Sequence, residues 1–140
     1  MRYLGLDLGT KTLGVALSDR SNIIASSLDV IRFESEDYDS LYEKIKLIKE
    51  QYDITTIVLG LPKNMNNSLG ERAETTIKFK EKLEELLNIE VVLEDERLTT
   101  VQAHSYMLEN NYSRKHRKKS VDAVAACIIL QTYLDKRKEN

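Results

Sequence analysis

Several common side-chain chemistries have almost no material to work with in this 140-residue chain. A single cysteine, Cys127, excludes an internal disulfide and any cysteine-based zinc site, and it fits a reducing compartment. The two histidines, His104 and His116, are too few for a histidine-rich metal site. No apolar stretch approaches the ~18 residues of a membrane-spanning helix. The N-terminus runs straight into a strand-like segment without the pattern of a signal peptide. A cytoplasmic protein with no membrane partner is therefore expected. Aromatic residues make up only 6%, so no base-stacking platform is evident. A large charge of one sign is missing too. With a formal net charge of −2, the molecule as a whole does not attract polyanions, and any such site must be local. Repeats, low-complexity tracts and linkers are absent, and the length fits one compact domain with a single core, so residues 1–140 are expected to form one domain.

What is present alternates between two periodicities. Arg2 to Leu8, Leu13 to Ser18 and Ile23 to Phe33 read as three strands joined by short turns, an antiparallel meander. Helix period follows from near Asp37, with Leu41, Ile45 and Ile48 on one face and Leu47 and Tyr52 beside it. The β-branched run TTIVLGLP is closed by Gly60 and the chain's one proline, Pro62, and KNMNNSLGE reads as a loop. A second amphipathic helix spans Ala73 to Leu87, with Ile77, Leu83 and Leu87 apolar. IEVVLEDE is a fifth strand ending in three acids. A short helix follows, from Thr99 or Thr100 to about Leu108, then a polar and basic stretch from Asn110 to Lys119. Ser120 is placed to cap a final helix with a broad apolar face. Helices between the later strands imply parallel pairing, hence an α/β fold with a mixed five-stranded sheet.

Asp7 raises the chemical question. A carboxylate inside the run YLGLDLGTKTLGVALSD costs several kcal/mol unless something pairs with it. If the first and fifth strands run parallel, Asp7 and the acids Glu94, Asp95 and Glu96 end at the same sheet edge, where open α/β sheets bind ligands. Asp122, in the first turn of the final helix, can join them. Close carboxylates repel unless a cation neutralises them, and oxygen-only donors suit Mg²⁺ or Mn²⁺. Such ions hydrolyse phosphodiesters without any protein nucleophile. Each acid also has a plain structural role available: the helix dipole for Asp122, a solvated strand end for Glu94 to Glu96. The segment Arg114 to Lys119 holds five Lys/Arg in six residues and leads into the helix carrying Asp122. Arg114, Lys115, Arg117, Lys118 and Lys119 can thus form a local phosphate-binding rim, to which Lys11, Lys63, Arg72 and Arg97 can add; a solvated loop is the alternative. Cys127, within AACIIL, is expected to fill core space.

The tetrapeptide DLGT also resembles the first phosphate loop of the actin, heat-shock-chaperone and sugar-kinase ATPases. Those close two α/β lobes around ATP, whereas 140 residues supply one. A non-catalytic nucleic-acid-binding module is a further reading. Four segments in order, GLDLGTKTLGVALSD, VLGLPKNMNNSLGERAE, EDERLTTVQAHSYML and RKKSVDAVAACIILQTYLD, together resemble the YqgF/RuvX family of pre-16S rRNA nucleases, also called Holliday junction resolvase-like proteins. The resemblance implies a ribonuclease H-like fold, a five-stranded mixed sheet flanked by helices. It implies a metal site of Asp7, an acid of the DER segment (Glu96, with Asp95 the alternative) and Asp122. It further implies a Mg²⁺- or Mn²⁺-dependent nuclease acting on precursor 16S rRNA, or alternatively on branched DNA as a junction resolvase, working as a monomer or weak homodimer. Two positions depart from the family pattern. Thr12 stands where a basic residue is usual, and Asn67 where glycine is frequent.

Overall fold

The computed structural model describes the backbone over residues 1–62, 70–95 and 114–138, and side chains over 1–62, 70–95 and 124–137. Strands β1 (Arg2–Leu8), β2 (Thr12–Ser18), β3 (Ala25–Arg32), β4 (Ile54–Leu61) and β5 (Glu90–Asp95) form one sheet in the order β3-β2-β1-β4-β5. The β1–β2 and β2–β3 pairs are antiparallel, and β4 and β5 run parallel to β1. This is the mixed five-stranded sheet that the alternation of periodicities predicts. β3 is shorter than the expected Ile23 to Phe33. The Ile23 and Ile24 amides donate to Asp19 Oδ1 at 2.8 and 3.2 Å, which makes them part of the preceding turn. At the other end the Phe33 amide donates to the Lys11 carbonyl and leaves the ladder.

Helices α1 (Asp39–Tyr52) and α2 (Glu71–Leu87) cover one face of the sheet, and α3 (Arg114–Lys138) covers the other. On the first face Leu41 and Ile45 of α1 and Phe79, Leu83 and Leu87 of α2 pack onto Leu4, Leu6, Leu8, Ile57 and Leu59. Leu47, expected beside that stripe, is 61% exposed, and Ile77 is only half-buried; Phe79 takes the core position on α2. Ala73, included in the same buried stripe, keeps the period of α2. On the second face Ala126, Ile129, Leu130 and Leu134 of α3 pack onto Ala16 and Val58, with Tyr3 and Val92 at the margin.

The last helix corrects the sequence reading. It starts at Arg114, so the basic segment is helical and Ser120 lies inside the helix, not at its cap. Lys and Arg are good helix formers, and no proline or glycine interrupts the chain from 114 to 138. The short helix expected before Leu108 lies outside the described residues. No helix among the described residues is long and apolar enough to cross a membrane.

Candidate active site

Asp7 is the next-to-last residue of β1 and half-buried. It shares a face with Tyr3 and Gly5 by the two-residue period of a strand, and that face is the one under α3. Asp7 pairs with Gly14 on β2. On the other side Leu6 pairs with Leu59, which sets Asp7 beside Gly60, and Gly60 pairs in turn with Glu94. The row therefore runs Gly14, Asp7, Gly60, Glu94 across the C-terminal edge of the parallel strands. Both immediate neighbours of Asp7 are glycines, so bare backbone flanks its carboxylate where side chains would otherwise crowd it.

The crossing of α3 sets the level of Asp122. Tyr133 packs edge-on against Tyr3, with ring centroids 5.8 Å apart, and Leu130 and Ala126 lie directly over Gly5. As β1 advances, α3 thus recedes in number. The step from Gly5 to Asp7 is ~6.6 Å along a strand. The step from Ala126 back to Asp122 is ~6 Å along a helix, about one turn. The backbone of Asp122 therefore lies about one helical turn beyond the crossing over Gly5, away from the Tyr3 end of β1.

The end of β5 separates its acids. Val91 and Leu93 pack in the α1/α2 core and Val92 in the α3 core, so Glu94 faces Asp7's side and Asp95 the opposite side. Asp95 is exposed there. Glu94 is only 7% exposed and forms an ion pair with Lys136 near the end of α3. Glu96 lies outside the described residues, as do Arg97 and Lys63. The sequence pattern marks Glu94 only as one of three strand-end acids, and nothing in it signals the burial.

Around this edge the polypeptide is tied down by backbone contacts. The Gly9 amide donates to the Thr12 carbonyl at 2.8 Å, closing the β1–β2 hairpin. The hairpin tip, where Lys11 is exposed, is held from the far side by the amides of Phe33 and Glu36, which donate to the carbonyls of Lys11 and Thr10. Arg72, in the first turn of α2, donates from its guanidinium to the Leu8 carbonyl at 2.6 Å. It therefore braces the strand end next to Asp7. Arg114, Lys115, Arg117, Lys118 and Lys119 occupy the opening turns of α3, ~4.5–12 Å before Asp122 along the helix axis and so beyond the end of β1. Cys127 packs against the margin of the α3-side core rather than inside it. It is half-buried at a cleft between α3 and β3, with its Sγ 3.4 Å from the Ser27 hydroxyl, and burial pushes its thiol pKa up.

The donor chemistry suits a hard cation. Asp7 offers oxygen, the glycines on both sides add no side chain of their own, and the one cysteine lies away from it at the β3 edge. Among the described residues no three acidic, histidine or cysteine side chains gather into a metal-binding group. The two further ligands expected from the resemblance, Glu96 and the Asp122 carboxylate, fall outside the described side chains.

Residues 1–136 match the family described as "RuvX: Holliday junction resolvase". The chain belongs to the RuvX family. A relative from Clostridium botulinum, named "Putative pre-16S rRNA nuclease", is 52% identical over 135 residues, covering 96% of this chain and 97% of the relative. A Geobacillus kaustophilus protein of the same name is 47% identical over 138 residues, covering 99% of this chain and all of the relative. Among solved structures, Thermus thermophilus RuvC in complex with a Holliday junction substrate superposes with a TM-score of 0.63 at 13% identity, covering 100% of this chain and 97% of that one. Fowlpox virus resolvase in complex with Holliday junction DNA gives 0.60 at 13% identity, over 98% of this chain and 99% of that one. At that identity the likeness is one of fold. The RuvX chain is a nuclease with a ribonuclease H-like fold.

Proposed function

We propose that this RuvX protein is a single nuclease domain, residues 1–140, that hydrolyses phosphodiester bonds in precursor 16S rRNA in the cytoplasm with the help of Mg²⁺ or Mn²⁺. The observation that carries the reading is the position of Asp7, half-buried near the C-terminal end of the central strand, between two glycines and one strand step beyond the place where α3 crosses Gly5. Asp7, Asp122 and Glu96 would hold the cation, with Asp95 disfavoured because it faces the other side of the sheet. When bound, a divalent ion lowers the pKa of a water and stabilises charge on the scissile phosphate. The chain's own carboxylates fix the position of that phosphate relative to β1, and the basic opening turns of α3 grip the flanking backbone. The RNA substrate is supported by the names of relatives that share about half of this sequence.

The test compares wild type with Asp7→Asn on precursor 16S rRNA and on a four-way DNA junction, with Mg²⁺, Mn²⁺ or EDTA present. Wild type is expected to cut the RNA only with a metal, and the variant to lose the activity by about a hundredfold or more, the several kcal/mol that metal-assisted charge stabilisation supplies. Failure of wild type to cut either substrate, or full activity in the variant, refutes the reading. The family description favours a second reading, a junction resolvase. That enzyme must cut two strands symmetrically, so preferential junction cleavage by a stable dimer would select it over the RNA nuclease.

A further inference from the structure

Gly5 lies one step below Asp7 on the same face, and no side chain fits there. A Cβ at this position would sit 2.7 Å from Leu130 Cβ, 3.0 Å from the Ala126 carbonyl oxygen and 3.5 Å from Ala16 Cβ. The first distance is one that carbon atoms do not adopt, and the second presses on helix backbone, which cannot turn aside as a flexible side chain can. The backbone of α3 therefore rides on the bare Cα of Gly5. One strand step and one helical turn further on are Asp7 and Asp122. This tight crossing is thus one strand step from Asp7 and one helical turn from Asp122, and little chain lies between to absorb a change.

We propose that Gly5 is a positioning residue that sets the distance between Asp7 and Asp122, and thereby matches the site to a small divalent cation. The inference rests on the reading above, in which those two carboxylates share an ion. Mg²⁺ demands near-ideal octahedral geometry with oxygens at ~2.0–2.1 Å, whereas Ca²⁺ accepts six to eight ligands at ~2.3–2.6 Å in flexible arrangements. A wedge that lifts α3 from β1 therefore harms Mg²⁺ binding more than Ca²⁺ binding. A residue that merely stabilises the fold has no means of discriminating between the two ions.

The experiment is calorimetric titration of Mg²⁺ and of Ca²⁺ into wild type, Gly5→Ala and Ala126→Ser, with far-UV circular dichroism to establish folding. Ala126→Ser adds a single atom to the fully buried helix residue whose carbonyl oxygen lies over Gly5, and it serves if Gly5→Ala does not fold. Val58→Ala, which loosens the packing under α3 without adding an atom, is the control for lost stability. Wedge variants are expected to weaken Mg²⁺ about tenfold or more, the scale of changes that misorient metal ligands, with a smaller loss for Ca²⁺. Val58→Ala is expected to leave the Mg²⁺/Ca²⁺ ratio as in wild type. An unchanged ratio in a folded wedge variant, or the same ratio change in Val58→Ala, overturns the role of Gly5 alone. Wild type that binds neither ion overturns the shared-cation reading on which it rests.

Discussion

The two faces of the sheet are packed by different rules. Under α1 and α2 the contacts are between large apolar side chains, with Leu4, Leu6, Leu41, Ile45, Ile57, Leu59 and Leu83 wholly buried. Under α3 the sheet contributes Gly5, Gly14, Ala16 and Gly60 around a smaller apolar cluster, and it carries Asp7, Glu94 and the Thr56–Glu90 pair. The first face gains stability by the area it removes from water. The second gives up side-chain volume so that a helix and two acid-bearing strand ends can approach. One sheet can do both because alternate residues of each strand belong to opposite faces, so either set varies without disturbing the other.

The contrast breaks most visibly on the first face. Leu83→Ala should cost about 2–5 kcal/mol in urea unfolding, the range for truncating a fully buried leucine. Cleavage per folded molecule should stay at the wild-type level; a parallel loss of intrinsic activity would mean that the faces are not separable. Next in size, replacing Lys115, Arg117, Lys118 and Lys119 by glutamine should weaken RNA binding and lower the slope of log affinity against log salt by about 3, near 0.7–0.9 for each phosphate no longer neutralised. An unchanged slope would take the opening turns of α3 out of the binding surface.

Smaller again is the Glu94–Lys136 pair. Lys136 is 62% exposed, so water screens much of the interaction, and Lys136→Ala should cost about 1 kcal/mol by denaturant titration. A cost of several kcal/mol would mean that α3 hangs on this pair more than on its apolar face. The smallest effect belongs far from the site. The Ile23 and Ile24 amides hold the Asp19 carboxyl below its ordinary value of 3.8. A depressed carboxyl contributes stability above that value and loses it as pH falls through the lower, folded-state one. The melting-temperature gap between wild type and Asp19→Asn should therefore narrow on acidification from pH 5 towards pH 2, and a constant gap would contradict the assignment.

The strands and the two helices of the first face were legible because their apolar residues repeat with the period of the element that buries them, as Leu4, Leu6 and Leu8 do on β1 and Leu41 and Ile45 on α1. Asp7 stands out for the opposite reason: it breaks its pattern, and the fold leaves it half-buried near the end of β1. The start of α3 was not legible, because a run of Lys and Arg looks solvated whether it is coil or helix. Sequence period also could not say which strand-end acid faces α3. That follows from the register of β5 on β4, which assigns Glu94 to Asp7's side and Asp95 to the other. The tight crossing over Gly5 depends on where a helix more than a hundred residues away comes to rest. Phe79, not Ile77, lies in the core of α2, where it packs against the rings of Tyr38 and Tyr42, contacts that local period does not contain.

The shared cation is tested most directly by binding rather than cleavage. Mn²⁺ titration followed by electron paramagnetic resonance on wild type, Asp7→Asn and Asp122→Asn counts bound ions without a substrate. Wild type should bind Mn²⁺, and each single variant should weaken it about tenfold or more, because removing either carboxylate removes charge and a ligand from the same ion. Wild-type affinity retained in Asp122→Asn would contradict the account, since α3 would then cover the sheet without completing the site.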